Sequence, residues 1–222
     1  TNPKSNNSIL KKIYQFNKPI IVEKPIALSK DIDDLILNIP KKNSSKILVN
    51  HIHFYHEYFE KNFLELKNET HYKIKIIDGN KGPIRNYSPL SDWGPHPLGI
   101  ASYYLGGIKN IKILKLKKLK YINPLHFNLY IKLSDMKENK IFDILIGNNF
   151  NYKKRTIFFS NKHFTKNFNF QDSLSLISPL ENLLLKFHNL ISNKSINLYD
   201  ETLVAAINSS KIIQIIEKQL KL

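Results

Sequence analysis

Two short strings put ionisable groups where chemistry is commonly done. Glu23-Lys24-Pro25 closes the apolar run Pro19-Ile-Ile-Val22, and Asp92-Trp93-Gly94-Pro95-His96 opens a helical pattern. One marks the end of a strand, the other the start of a helix, and open α/β sheets bind ligands at the carboxyl ends of their strands. A lysine, an aspartate and a histidine gathered there can bind a hydroxyl, take its proton and balance the charge. That is the equipment of an alcohol-oxidising or carbonyl-reducing site. Each residue also has a plainer reading: a solvated Glu-Lys pair before a turn proline, Asp92 as a helix N-cap, His96 as a polar first-turn residue. On composition alone the plainer reading of the Glu-Lys-Pro string wins; Asp92 and His96 together with Lys24 weaken the plainer readings of each.

Elements must bring those strings together. Residues 8–16 read as a short helix, and Pro19–Val22 as a β-branched strand of the buried parallel kind. Ser29 is placed to cap a helix carrying Ile32, Leu35 and Ile36, with Pro40 ending it. A strand over 46–55, a helix over 57–66 and a strand over 72–77 follow, with Asp78-Gly79 as a turn. A loop over 80–91 leads to a helix over 95–105, stopped by Gly106-Gly107. Residues 111–121, 126–133, 141–148 and 155–159 then read as successive strands of a meander. Ser178-Pro179-Leu180-Glu181 is a capping box for a helix through Ile191, and Asp200 is placed to cap the last helix.

The fold class expected is α/β (α+β). Residues 1–40 read as one αβ unit, too small to stand alone, and residues 41–222 as a mixed, largely antiparallel open sheet covered by helices. A lone parallel strand needs neighbours, so a preceding α/β domain is expected upstream of Thr1.

The 222 residues suffice for a real core, and 42% hydrophobic with 11% aromatic content excludes a disordered chain. With no cysteine, disulfides and thiolate metal sites are ruled out, which fits a cytoplasmic protein. No apolar run is long enough for a bilayer, so no membrane partner is expected. The net charge of +16 invites nucleic acid, yet it is carried almost wholly by lysine, with Arg85 and Arg155 the only arginines. Lys115, Lys117, Lys118 and Lys120 read as the solvent face of a guarded strand edge. A basic nucleic-acid-binding domain is therefore the weakest alternative.

The Glu23-Lys24-Pro25 string resembles the Glu-Lys-Pro signature of the glucose–fructose oxidoreductase, inositol dehydrogenase and MocA (Gfo/Idh/MocA) family. Ser91-Asp-Trp-Gly-Pro-His96, with the helix after it, resembles that family's Asp-x-Gly-x-His motif. The resemblance spans nearly the whole chain, its C-terminal helices giving weaker support. It implies an NAD(P)-dependent oxidoreductase acting on a secondary alcohol or ketone of a sugar or sugar derivative, with residues 1–40 the terminal βα unit of a truncated NAD(P)-binding Rossmann domain and residues 41–222 the substrate-binding and oligomerisation domain. Catalytic roles fall to Lys24, Asp92 and His96, and cofactor contact at the nicotinamide end to Glu23, Lys24 and Pro25. Substrate contacts fall to His53, Arg85 and Trp93, with Tyr87 nearby. A sugar or sugar-nucleotide partner and a homo-oligomer built through the C-terminal sheet are further implications.

Three features depart from the family pattern. Pro97 and Gly99 stand where relatives often carry carboxylates, so His96 lacks an acidic neighbour in the chain. No G-x-G-x-x-G occurs, so the dinucleotide phosphate cradle is expected outside these residues. His51, His53 and His56 suggest a metal cluster, but no carboxylate or third histidine has convincing spacing, although Glu57 is near, and they read as cleft-lining or ordinary surface histidines with no metal. A non-catalytic relative that binds a sugar or a partner protein is the second reading.

Overall fold

The computed structural model describes residues 3–39, 46–57, 69–170, 177–192 and 201–222. Helix α1 (Pro3–Ile13) runs into a 3-10 turn at Tyr14–Phe16 and leads to strand β1 (Ile20–Val22). After a 3-10 turn at Ser29–Asp31 comes α2 (Ile32–Asn38), then β2 (Ile47–Val49). β1 and β2 pair in parallel, Ile20 with Ile47 and Val22 with Val49. The neighbour that β1 needs is thus β2, which lies beyond residue 40. The apolar faces of these elements meet in one cluster: Leu10, Val22, Ile26, Ile32, Leu35, Ile47 and Val49.

Several local expectations change here. The strand expected over 46–55 is only three residues long, because the chain turns at once. His51 N donates to Val49 O at 2.7 Å, and residues Ile52–Tyr55 form a 3-10 turn. Ser29 does not cap a helix; its hydroxyl donates to Glu217 near the C-terminus instead. The helix expected over 57–66, apart from its first residue, and the roles of Pro40 and Asp200 lie outside the described residues.

The second body is a six-stranded sheet. Its strands are β3 (Tyr72–Lys81), β4 (Lys112–Asn123), β5 (His126–Ser134), β6 (Lys140–Gly147), β7 (Asn149–Ser160) and β8 (Thr165–Asn169). The order β4-β5-β6-β3-β7-β8 makes it largely antiparallel, with β3 inserted parallel to β6. The expected meander is therefore interrupted. β6 and β7 follow each other in sequence but are separated in space by a strand from far upstream. Alternation decides which face is covered: Tyr72, Ile74 and Ile76 are buried while Lys73 and Lys75 are exposed.

Over the apolar face lie α3 (Pro89–Trp93), α4 (Pro95–Tyr104) and α6 (Glu201–Leu220), while α5 (Pro179–Ser192) packs on the 3-10 turn at Ile52–Tyr55. Gly106 and Gly107 end α4 with φ of 78° and 93°, as the sequence predicts. Ser178 Oγ accepts from Glu181 N at 3.2 Å, the expected cap of α5. α6 serves both bodies: Ile212, Ile213 and Ile216 pack on the sheet, Leu203 and Ala206 on the β1–β2 unit. No helix among the described residues is long and apolar enough to cross a membrane.

Asp78-Gly79 is not a turn but continues β3, opposite Ile146-Gly147 on one side and Arg155-Lys154 on the other. Glycine is required there by close packing. A Cβ on residue 79 would sit 2.2 Å from the Phe150 ring and 2.7 Å from Gly147 O. Gly79→Ala should therefore destabilise the chain by about 1–3 kcal/mol in urea unfolding. An unchanged midpoint would mean that Phe150 does not lie on this face.

Candidate active site

Lys24 stands two residues beyond the carboxyl end of β1, and the Lys24–Pro25 peptide is cis. Asn6 pins this turn by donating through Nδ2 to the Pro25 carbonyl at 2.8 Å and the Glu23 carbonyl at 3.3 Å. The Lys24 ammonium runs inward and donates to the Asp92 carbonyl oxygen at 2.8 Å. Burial pulls this ammonium below the usual lysine range; Asp92 and Asp78 pull the other way, and Arg155 adds to the lowering. Glu23 is exposed, its Oε1 accepting from Asn50 Nδ2 at 2.7 Å.

The Asp92 string is built by two helices in series rather than one helix entry. Ser88 caps α3, its hydroxyl accepting from Ser91 N at 3.3 Å, and Pro89 occupies the first turn. Gly94 joins α3 to α4, so Asp92 ends the first helix and His96 begins the second. Asp92 therefore caps neither helix: Ser88 caps α3, and Gly94 stands at the N-cap of α4 with no side-chain cap. Arg85 Nε lies 3.9 Å from the Asp92 carboxylate at the exposed rim. Trp93 is half-buried, with the Arg155 guanidinium carbon 5.6 Å from its ring centroid. Tyr87, also at the rim, has its hydroxyl pushed up by burial and by Asp92.

His96 is buried. Its ring lies 4.4 Å from that of His53 and 5.4 Å from that of His51, nearly perpendicular to both. His53 in turn packs 3.9 Å from Phe170, and His56 4.6 Å from Phe168. Both ring nitrogens of His51, and Nδ1 of His53 and of His96, have no hydrogen-bond partner among the described residues. Burial, reinforced by Lys24, brings His51 down to about 3. Burial and neighbouring cations also hold His53 and His96 well below the histidine range, so these imidazoles are neutral. The rings meet edge to face, and no group of three or more His, Asp or Glu among the described residues is arranged to hold a metal ion. His51 also explains Gly99: a Cβ there would stand 3.0 Å from His51 Cε1. The imidazole fills the space above the position where a carboxylate was missed in the sequence.

Two residues of the site escaped the sequence reading. Asp78 on β3 is buried, and its Oδ1 lies 3.4 Å from Arg155 Nε on β7. Burial pushes Asp78 up to about 6, against the pull of Arg155 and Lys24. The only signal for Asp78 was the dipeptide Asp78-Gly79, which reads as a turn; Arg155 stood out only as one of two arginines. The structure therefore gathers Lys24, Asp92, His96, His53 and Trp93, adds Asp78 and Arg155, leaves Arg85 at the rim and turns Glu23 outward.

No protein-family model and no curated protein matches the sequence. Solved structures do match in shape. UDP-N-acetylglucosamine 3-dehydrogenase from Acidithiobacillus ferrooxidans superposes with a TM-score of 0.74 at 11% identity, over 96% of this chain and 74% of that one. An oxidoreductase of the Gfo/Idh/MocA family from Vibrio cholerae superposes with a TM-score of 0.67 at 9% identity, over 100% of this chain and 78% of that one. The fold is that of the Gfo/Idh/MocA oxidoreductases. A 3-ketoreductase from Actinomadura kijaniata, solved with TDP-benzene and NADP, agrees: TM-score 0.68, 10% identity, 97% of this chain and 75% of that one. Within the Gfo/Idh/MocA fold, the β1–α2–β2 unit and the open sheet of this chain meet where Lys24 reaches Asp92.

Proposed function

We propose that the chain is part of an NAD(P)-dependent oxidoreductase of the Gfo/Idh/MocA family, acting on a secondary alcohol or ketone of a sugar or sugar nucleotide. Residues 1–40 together with β2 (Ile47–Val49) belong to its nucleotide-binding side, and the sheet and helices that follow belong to its substrate side. Self-association through the open sheet is part of the same reading. One observation carries it: two strings 68 residues apart meet through the Lys24–Asp92 hydrogen bond, beside a buried neutral imidazole at His96.

The donor set suits the nicotinamide end of the cofactor. Lys24 uses one N–H on Asp92 O, leaving two for a ligand, and His96 Nδ1 has no partner among the described residues. Lys24 and Pro25 would hold that end, where the cofactor supplies the hydride acceptor. The sequence has no G-x-G-x-x-G, so no residue here is assigned to its phosphates.

The remaining chemistry belongs to this chain. A substrate hydroxyl placed between Lys24 and His96 gives its proton to the neutral His96 imidazole, which is able to accept because it is uncharged. Lys24 donates to the same oxygen and stabilises the negative charge that develops as its proton leaves. Asp92 holds Lys24 through its carbonyl, leaving its carboxylate to Arg85 and substrate hydroxyls. His53 and Trp93 wall the cleft. In the reductive direction the protonated His96 returns the proton.

The protein in its natural full length should reduce NAD or NADP when given a panel of UDP- and TDP-activated sugars. Ligand binding without turnover by any of them would replace this reading with that of a non-catalytic sugar-binding relative. The missing carboxylate partner of His96 is the observation that favours this second reading.

A further inference from the structure

Helix α6 grips the segment that follows Lys24 at three points on one of its faces. Ser210 Oγ donates to Ala27 O at 3.2 Å. Gln214 Nε2 donates to Ser29 O at 3.0 Å and to Asp33 Oδ2 at 2.9 Å. The Glu217 carboxylate accepts from Ser29 Oγ. Residues 210, 214 and 217 stand at helical spacing, one above the other. Glu217 differs from the other two because it also reaches α3. Its Oε2 takes Ser29, while its Oε1 takes Ser88 Oγ at 2.6 Å and Ser91 Oγ at 3.2 Å. A carboxylate has room for all three hydroxyls, with about four lone-pair sites on its two oxygens. Hydrogen bonds to an ionised acceptor are also stronger than neutral ones.

Both serine ends are tied closely to the candidate site. Pro25, Ile26, Ala27 and Leu28, which separate Lys24 from Ser29, are all buried and so held in place by packing. Ser88 and Asp92 are one helical turn apart, Asp92 N donating to Ser88 O at 3.2 Å. The far ends of these two short pieces meet where Lys24 donates to the Asp92 carbonyl at 2.8 Å. The contacts close a ring from Glu217 through Ser29, Lys24, Asp92 and Ser88 back to Glu217. Opening it at Glu217 frees the two pieces to part at the end away from Lys24.

We propose that Glu217 is a positioning residue of the site: its carboxylate bridges Ser29 to Ser88 and so sets the spacing at which Lys24 meets α3. The inference rests on the oxidoreductase reading only for the catalytic meaning of Lys24.

Pulse acetylation of Lys24 in the full-length protein at one fixed pH, read by mass spectrometry against the exposed Lys75, reports how well the ammonium is covered without any need for turnover. Glu217→Met keeps the length of the side chain and removes both acceptors. Ser29→Ala cuts the same bridge from its other end. Each should speed Lys24 labelling severalfold, as a local opening does. Ser210→Ala removes a hydrogen bond from the same helix to the same segment without touching α3. It should lower the unfolding midpoint and leave Lys24 labelling at the parent rate. Where turnover exists, both bridge variants should lower kcat by about ten- to a hundred-fold with KM changing less, the cost of roughly an ångström of misplacement at the reacting atoms. A merely structural Glu217 would cost stability and leave the labelling of the folded protein still.

Unchanged labelling in either folded bridge variant overturns the proposal. So does an equal rise in Ser210→Ala, which would mean that any loosened contact of α6 has this effect. If Glu217→Met does not fold, Ser29→Ala decides, since it opens the same ring. Faster labelling of both bridge variants in a protein without NAD(P)-dependent turnover would uphold the inference and reject the oxidoreductase reading. Turnover with unmoved labelling would do the reverse.

Discussion

Lys24→Met in the full-length protein is expected to lower kcat by about a hundred- to a thousand-fold, the usual cost of deleting one donor aimed at a developing oxyanion. Thermal stability should stay within about 1 kcal/mol of the parent. The two effects separate for a physical reason. The ammonium is desolvated and opposed by Arg155, so its charge is a burden on folding rather than a support. Methionine has a similar length and none of that burden. The Asp92 carbonyl loses a donor, but α3 keeps its cap and its Gly94–Leu90 hydrogen bond. Lys24→Arg should not restore activity, because a planar guanidinium cannot replace a compact ammonium between a carbonyl and a substrate oxygen. Turnover within tenfold of the parent in Lys24→Met would remove Lys24 from the catalytic machinery.

Acid should unfold this protein early, and histidines decide it. His51, His53 and His96 titrate near 6.5 when unfolded, whereas burial holds all three well below that in the fold, His51 at about 3. Below pH 6.5 the unfolded chain binds protons that the folded chain refuses. Stability is therefore present above 6.5 and lost as pH falls, at about 1.4 kcal/mol per pH unit for each imidazole. Asp78 acts oppositely. Its folded pKa of about 6 lies above its ordinary 3.8, so acidification between those values favours the fold at a similar slope. Three groups against one leave a net loss of about 3 kcal/mol per pH unit below pH 6. Urea unfolding followed by Trp93 fluorescence at pH 7 and pH 5 should show it, and His51→Phe should lessen the slope. A flat profile from pH 7 to pH 5 would mean that these rings are hydrated.

The two strings proposed to do the chemistry stood out in the sequence because each is local. Lys24 is fixed by the strand end and proline beside it, and His96 by the helix that Pro95 starts. Gly106-Gly107 and Ser178 also marked real helix ends. What escaped notice depends on residues distant along the chain. Asp78 looked like half of a turn, since nothing nearby shows that Gly79 is kept bare for Phe150. Arg155 matters only because β3 and β7 pair, bringing residues 78 and 155 opposite each other. Ser29 has the composition of a cap, but Glu217 takes its hydroxyl, and Ser88 and Ser91 share the same carboxylate. Periodicity found the strands of the second body but not their order, because a parallel insertion leaves no mark on alternation.

That order has a consequence for how the molecule is made. β3 leaves the ribosome long before either of its neighbours, and its two edges wait for residues 140–147 and 149–160. Until then a strand bearing Ile74, Ile76 and an unpaired Asp78 has no place to lie. Such non-local pairing is slow and exposes sticky edges while it waits. The clasp from Glu217 back to Ser29, Ser88 and Ser91 closes later still. Nascent chains stalled before residue 160 should therefore be clients of chaperones, and Lys24, made well before the sheet and before Glu217, should find its setting only after both.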